Sequence, residues 1–191
     1  MSWGTEPMPL DEANRRRLRD IARESIRHGL SNHGPPALAD AGLPAELREP
    51  GAVFVTLEIN GRLRGCIGSL EPRRALAEDV NANAYAAAFV DPRFPPVTEA
   101  EVPALNIHIA LLHPATPLPC TDEADLQRQL RPGIDGLILQ NGHHRATFLP
   151  AVWADLPRPR DFLHHLKAKA GMPPEYWGDD LRFWRYEVEE V

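Results

Sequence analysis

The sequence predicts an α+β fold, mainly antiparallel sheet with flanking helices. Three observations predict it. Two apolar or alternating stretches run into Asn-Gly, at Asn60-Gly61 and Asn141-Gly142, and strand-like residues resume directly afterwards. Asn-Gly between two such stretches is the strongest short signal for a β-hairpin. Helical periodicity appears near both ends and after the first hairpin, without the regular strand–helix alternation of a doubly wound sheet. No period of roughly 20–50 residues recurs, which excludes a repeat array.

Taken in order, the first element is a helix from about Asp11 to Leu30. Leu18, Ile21, Ala22, Ser25 and Ile26 fall on one stripe, Asp11 is placed to cap the start, and Gly29 lies near the end. Residues 31–51 carry Gly34-Pro35-Pro36, Gly42 and Pro44 and read as a surface connection. Residues 52–59 form a strand, Asn60-Gly61 turns the chain, and residues 62–68 return. Counting back from this turn pairs Ile59 with Arg62, Leu57 with Arg64 and Val55 with Cys66. Arg64 and Cys66, two apart, then share a face, with Cα atoms roughly 6.5–7 Å apart. A bulge at Gly65 breaks that count.

Pro72 suits the first turn of a second helix, from about Pro72 to Phe89, with Leu76, Val80, Ala84 and Ala87 as its apolar stripe. Asp91-Pro92-Arg93-Phe94-Pro95-Pro96 follows as a proline-stiffened loop. Residues 105–111 alternate as a strand. Thr121 is read as the cap of a short helix through Leu130. The second hairpin runs from Gly136 through Asn141-Gly142 to Leu149. A helix from about Arg160 to Ala170 stops at Gly171, ahead of Pro173-Pro174, and a closing strand covers residues 182–188.

Composition narrows function. The chain has 191 residues, long enough for a sizeable core without disulfide or metal staples. Lys plus Arg is 21 against 27 Asp plus Glu, a net charge of −6, which argues against a nucleic-acid surface. The basic cluster Arg15-Arg16-Arg17 is interleaved with acids and reads as a solvated helix face. The 20 prolines, about twice the usual share, are spread along the chain as stiff connections rather than collected in a disordered tail. No apolar run reaches the roughly 20 residues of a membrane helix. The start, Met1 to Pro7, lacks the pattern of a secretory signal. Two cysteines are too few for a disulfide framework or a cysteine-rich metal site. The expectation is a cytoplasmic protein with reduced thiols, with no membrane or nucleic-acid partner, and nothing in the chain requires a cofactor.

Three groups of residues could carry chemistry. Cys66 lies between Gly65 and Gly68, with Arg64 expected on its face. It is either a reactive thiol beside a cation or a small buried hydrophobe. Glycines inside a strand mark a bulge or a close approach to the backbone. Asp91 and Arg93 either present a carboxylate and a guanidinium to a site or cap a turn and pair locally. The eight histidines show no chelating spacing; His143-His144 point to opposite faces of a strand, and His108 and His113 have no support from spacing. No metal site is expected. Phosphate-loop, dinucleotide and nucleophile-elbow signatures are absent.

Leu63-Arg64-Gly65-Cys66-Ile67-Gly68 resembles the signature of the AMMECR-one domain family. More of that family's pattern follows in order: Asp91-Pro92-Arg93-Phe94 after an alanine-rich helix, Pro132-Gly133-Ile134-Asp135-Gly136-Leu137, Phe148-Leu149-Pro150, Phe162-Leu163 and Lys169-Ala170-Gly171. The likeness covers residues 10–190 as one domain with two sub-lobes. Leu149-Pro150-Ala151-Val152-Trp153, Leu156-Pro157 and Tyr176-Trp177 are similar to the bacterial branch called AmmeMemoRadiSam system protein A. Many relatives carry Gln and Ser where this chain has Ala151 and Ala110, so no role of those polar groups is carried over.

The resemblance implies a two-lobed α+β fold, with the hexapeptide near a cleft between lobes, and no secure reaction. It implies a radical SAM protein and a Memo-like protein as partners, with a small-molecule or peptide ligand. The site residues it implies are Cys66, Arg64 and Asp91 for catalysis, with Gly65, Ile67, Gly68, Arg93 and Phe94 for substrate binding. One expectation is a thiol-dependent enzyme or substrate-handling subunit. In it Arg64 favours the thiolate or binds an anionic substrate, and Asp91 is the acid/base or orienting group. The other is a non-catalytic adaptor whose glycine-rich strand is a docking surface.

Overall fold

The structure is a computed structural model describing residues 10–39 and 42–191; the Met1–Pro7 stretch read above for a targeting signal lies outside them. Its helices and mainly antiparallel sheets form an α+β fold in two compact units. One unit takes the described part of Pro7–Leu112 with Glu189–Val191, the other His113–Val188.

The first unit opens with α1, Glu12–Gly29. The Asp11 carboxylate accepts the Asn14 N–H at 2.8 Å, and the expected stripe is buried. The connection over residues 31–51 contains a one-turn helix, α2 (Ala45–Arg48), and a short strand, β1 (Pro50–Gly51). Strands β2 (Val53–Ile59) and β3 (Arg62–Gly68) make the first hairpin, turning at Asn60 (φ 53°) and Gly61 (φ 72°), the left-handed pair that an Asn-Gly turn supplies. Strand β4 (Arg74–Ala75) pairs with β1, and the Leu76 N–H bonds to the Glu49 carbonyl. Helix α3 therefore begins at Leu76 and runs to Phe89, not from Pro72 as expected, because this pairing holds residues 74–75 extended. Strand β5 (Asn106–Leu112) lies on the other edge of β2. Val53, Val55 and Leu57 on β2 face α1 and α3, joining Ile21, Ile26, Val80 and Ala84 in one core. Buried Asp79 on α3 accepts the Val53 N–H, the Ser69 hydroxyl and the Arg74 guanidinium, fastening the start of β2 to the helix.

In the second unit β6 is Thr116–Pro117 and α4 is Glu123–Gln129. The α4 cap is Asp122, which accepts the Asp125 N–H at 2.7 Å; Thr121, expected as the cap, instead bonds back to the Asp125 carboxylate. The second hairpin pairs β7 (Gly136–Asn141) with β8 (His144–Phe148). Asn141 faces His144, so the turn is Gly142-His143, one residue later than the Asn-Gly reading. Helix α5, Pro159–Lys169, covers this sheet through Phe162, Leu163 and Leu166. Strand β9 (Arg182–Tyr186) pairs with β7 in the order β6-β9-β7-β8. The closing strand expected over residues 182–188 is two: β10, Val188–Glu190, belongs to the sheet ordered β10-β5-β2-β3.

Candidate functional site

The site is built on β3, the edge strand of its sheet. From the turn, Ile59 faces Arg62 and Glu58 faces Leu63; then Leu57 faces Gly65, Thr56 faces Cys66 and Val55 faces Ile67. Arg64 is the extra residue of a β-bulge, and this corrects the register counted from the turn. The cause is a close approach of α3. A Cβ on Gly65 would lie 2.1 Å from the Ala87 carbonyl oxygen, so only glycine fits there. Gly68 has the same constraint from the Phe54 ring, which a Cβ would meet at 2.3 Å. Both glycines admit neighbouring parts of this chain to the strand.

The bulge sends Arg64 toward the segment after the Asp-Pro-Arg-Phe loop. Its guanidinium donates to Glu101 at 2.7 Å and to the carbonyls of Pro95 and Pro96 at 2.9 and 3.2 Å. Glu101 also accepts the N–H and hydroxyl of Thr98. These donors hold its carboxyl down at about 2.

The cation at Cys66 is Arg93. Its guanidinium donates to the Cys66 carbonyl at 3.1 Å. Asp91 accepts the Cys66 N–H at 2.9 Å and two bonds from the Arg93 guanidinium, at 2.9 and 2.7 Å. Asp91 and Arg93 thus satisfy the edge N–H and C=O of Cys66 that a neighbouring strand would otherwise pair. The Arg93 guanidinium, the largest influence, holds the buried Asp91 carboxyl well below the usual carboxylate range, with the Cys66 and Arg93 amides adding to it against burial. Asp91 in turn raises the Arg93 pKa. Arg93 stays 54% exposed at its side chain, with its guanidinium 5.5 Å from the centre of the Phe94 ring.

On the face of the sheet away from α1 and α3, the Thr56 hydroxyl donates to the half-buried Cys66 sulfur at 3.3 Å. Thr56 also faces His108 on β5, so cysteine, threonine and histidine form a row across three strands. His108 lies 3.5 Å from Glu58. The structure therefore brings Cys66, Asp91, Arg93 and His108 to one region and turns Arg64 to another partner. Ile67 sits next along β3, packed against the core. His113, His143 and His144 belong to the second unit, where His144 Nδ1 bonds to the Ala170 carbonyl. Among the described residues no group of three or more metal-ligating side chains converges, and no helix is long and apolar enough to cross a membrane.

Sequence reasoning missed Thr56 and Glu101. Thr56 carries no signal apart from the register, which the bulge alters. Glu101 had one: Thr98-Glu99-Ala100-Glu101 is the Thr-x-x-Glu pattern of a capping box, and Glu101 reaches back to the Thr98 N–H.

Fold and site define a class: two-unit α+β proteins with a glycine-flanked cysteine on an edge strand, clamped by an Asp-x-Arg loop. The chain belongs to the AMMECR1 family, whose model matches residues 19–191. It is 37% identical over 183 residues to a Methanothermobacter thermautotrophicus protein, covering 95% of both chains. It is 38% identical over 154 residues to one from Thermotoga maritima, covering 78% of this chain and 83% of that one. The crystal structure of an uncharacterised Pyrococcus horikoshii protein, PH0010, superposes with a TM-score of 0.82 at 30% identity, covering 95% of this chain and 91% of that one. None of these names states an activity.

Proposed function

We propose that the protein works through the Cys66 thiol, as the substrate-handling component of a cytoplasmic AmmeMemoRadiSam system. It serves there with a radical SAM protein and a Memo-like protein and takes a small molecule or peptide at the face of β3. One observation carries the reading: the Arg93 guanidinium bonds to the Cys66 carbonyl while the Thr56 hydroxyl donates to the sulfur. Thiolate is the nucleophile, and an adjacent cation favours it. In this reading Arg93 takes the part expected of Arg64, Asp91 orients Arg93 and the strand, and Phe94 borders the ligand. Gly65, Ile67 and Gly68 keep the strand close to its supports.

Alkylation tests it. Cys66 should react with iodoacetamide near neutral pH about tenfold faster than Cys120, whose thiol is pushed up by burial and by Asp125 and Asp122. Arg93→Ala should slow Cys66, and Arg64→Ala should change it much less. Equal, slow labelling of both thiols sinks the reading.

A second reading, a non-catalytic adaptor, is favoured by the internal bonding of the motif's polar groups: Arg64 is spent on Glu101 and Asp91 on Arg93. Activity of the three-protein mixture with Cys66→Ala separates the two. Loss supports the thiol, and full retention supports the adaptor.

A further inference from the structure

The first unit holds a groove of about 840 Å³ that the thiol reading does not use. The C-terminal half of α1 forms one wall and residues 97–103, with the start of β5, the other. Its volume falls in the range of small-molecule sites, roughly 300–1,000 Å³. Ile26, Val102, Leu105 and Ile107 supply apolar surface continuous with the core. Among the described residues no aromatic side chain lines it.

Its charge is one-sided. Arg23 and Arg27, four apart on α1, stand over the same helix face at the groove. Arg27 has no hydrogen-bond or ion-pair partner among the described residues. Arg23 has only an exposed contact to Asp20 at 3.4 Å. Glu99 is the single carboxylate in the lining among the described residues. Two under-used guanidinium groups beside an aliphatic trough, in a chain of net charge −6, complement an anion with an aliphatic tail.

The second wall is built, not incidental. Arg64 ties down the carbonyls of Pro95 and Pro96, Glu101 ties Thr98, and the Val97 N–H bonds to the Ala88 carbonyl on α3. The bulge that takes Arg64 away from Cys66 thus spends it on the wall of this groove.

We propose that the groove binds a free aliphatic carboxylate of medium chain length, its head at Arg27 and Arg23 and its tail along Ile26, Val102, Leu105 and Ile107. Arg64 is a positioning residue for this site. Cys66 does not line it, so the proposal stands whether or not the thiol is reactive.

Calorimetric titration of the whole protein with decanoate tests it. Saturable one-to-one binding is expected, with decanol, the same chain without the charge, at least about tenfold weaker. Arg27→Gln should weaken decanoate about five- to tenfold while leaving the melting temperature within a degree or so, since the side chain makes no internal bond. Val102→Trp, which fills the trough, should abolish binding, and Cys66→Ala should leave it unchanged. Failure of decanoate to saturate at millimolar concentration, equal binding of decanol, or an unaltered affinity in Arg27→Gln would overturn the proposal. Loss in Cys66→Ala would overturn the separation from the thiol site.

Discussion

Cys66 and Cys120 are the chain's two cysteines, and their surroundings set them apart. Cys120 lies against the second core beside two carboxylates that oppose its ionisation. Cys66 stands on an edge strand, with the Arg93 guanidinium on its carbonyl and the Thr56 hydroxyl on its sulfur. The residue that makes this arrangement possible is Gly65. Its missing Cβ leaves room for the Ala87 carbonyl, and the bulge beside it decides where Arg64 points. Gly65→Ala should therefore cost about 3 kcal/mol in urea unfolding, from overpacking against helix backbone that cannot yield. It should also slow Cys66 alkylation by shifting β3 away from Arg93. A variant of wild-type stability would show that α3 has room to move.

At the scale of elements, buried ion pairs fasten neighbouring pieces of chain. Lys167 on α5 is fully buried, with its ammonium 2.5 Å from Glu123 on α4, 3.0 Å from the Pro174 carbonyl and 5.6 Å from the centre of the Trp177 ring. Removing one partner of such a pair leaves a charge without its counterion in a dry site. Glu123→Ala should therefore destabilise the protein by about 3–5 kcal/mol in urea. Glu123→Ala with Lys167→Met should recover much of that loss, because the double change buries no charge. Helix α1 was legible because its cap, stripe and stop lie within the helix. The start of α3 was not, because it depends on a strand pairing with Pro50 and Gly51. The second hairpin was legible as a hairpin but shifted by one residue: pairing Asn141 with His144 outweighed the local preference for Asn-Gly in the turn.

For the whole molecule, the carboxylates that frame the candidate site predict sensitivity to acid. Asp91 and Glu101 both titrate below their ordinary values in the folded chain, Asp91 chiefly through Arg93 and Glu101 chiefly through Arg64. A lowered folded pKa contributes stability that is complete above the unfolded values of about 3.9 and 4.3 and drains away as pH falls through the folded ones. Urea midpoints should hold steady from about pH 7 to 5 and fall steeply below about pH 4. Asp91→Asn should be less stable at neutral pH and flatter below it. An unchanged acid slope in that variant would place the acid sensitivity elsewhere.

Short-range patterns were enough for the α+β class, for both hairpins, and for Cys66, Asp91 and Arg93 as residues of interest. Caps, turns and amphipathic stripes depend on neighbours a few positions away. Tertiary packing decided the rest: that Arg93 and not Arg64 bonds to Cys66, through its carbonyl, that Thr56 and His108 share the face of the sulfur, and that Arg64 braces a groove. Cys66 and Asp91 are 25 residues apart, and Arg64 and Glu101 are 37. Which charges meet across such distances depends on how closely a helix can press on a strand, and one absent methyl group at Gly65 sets that limit.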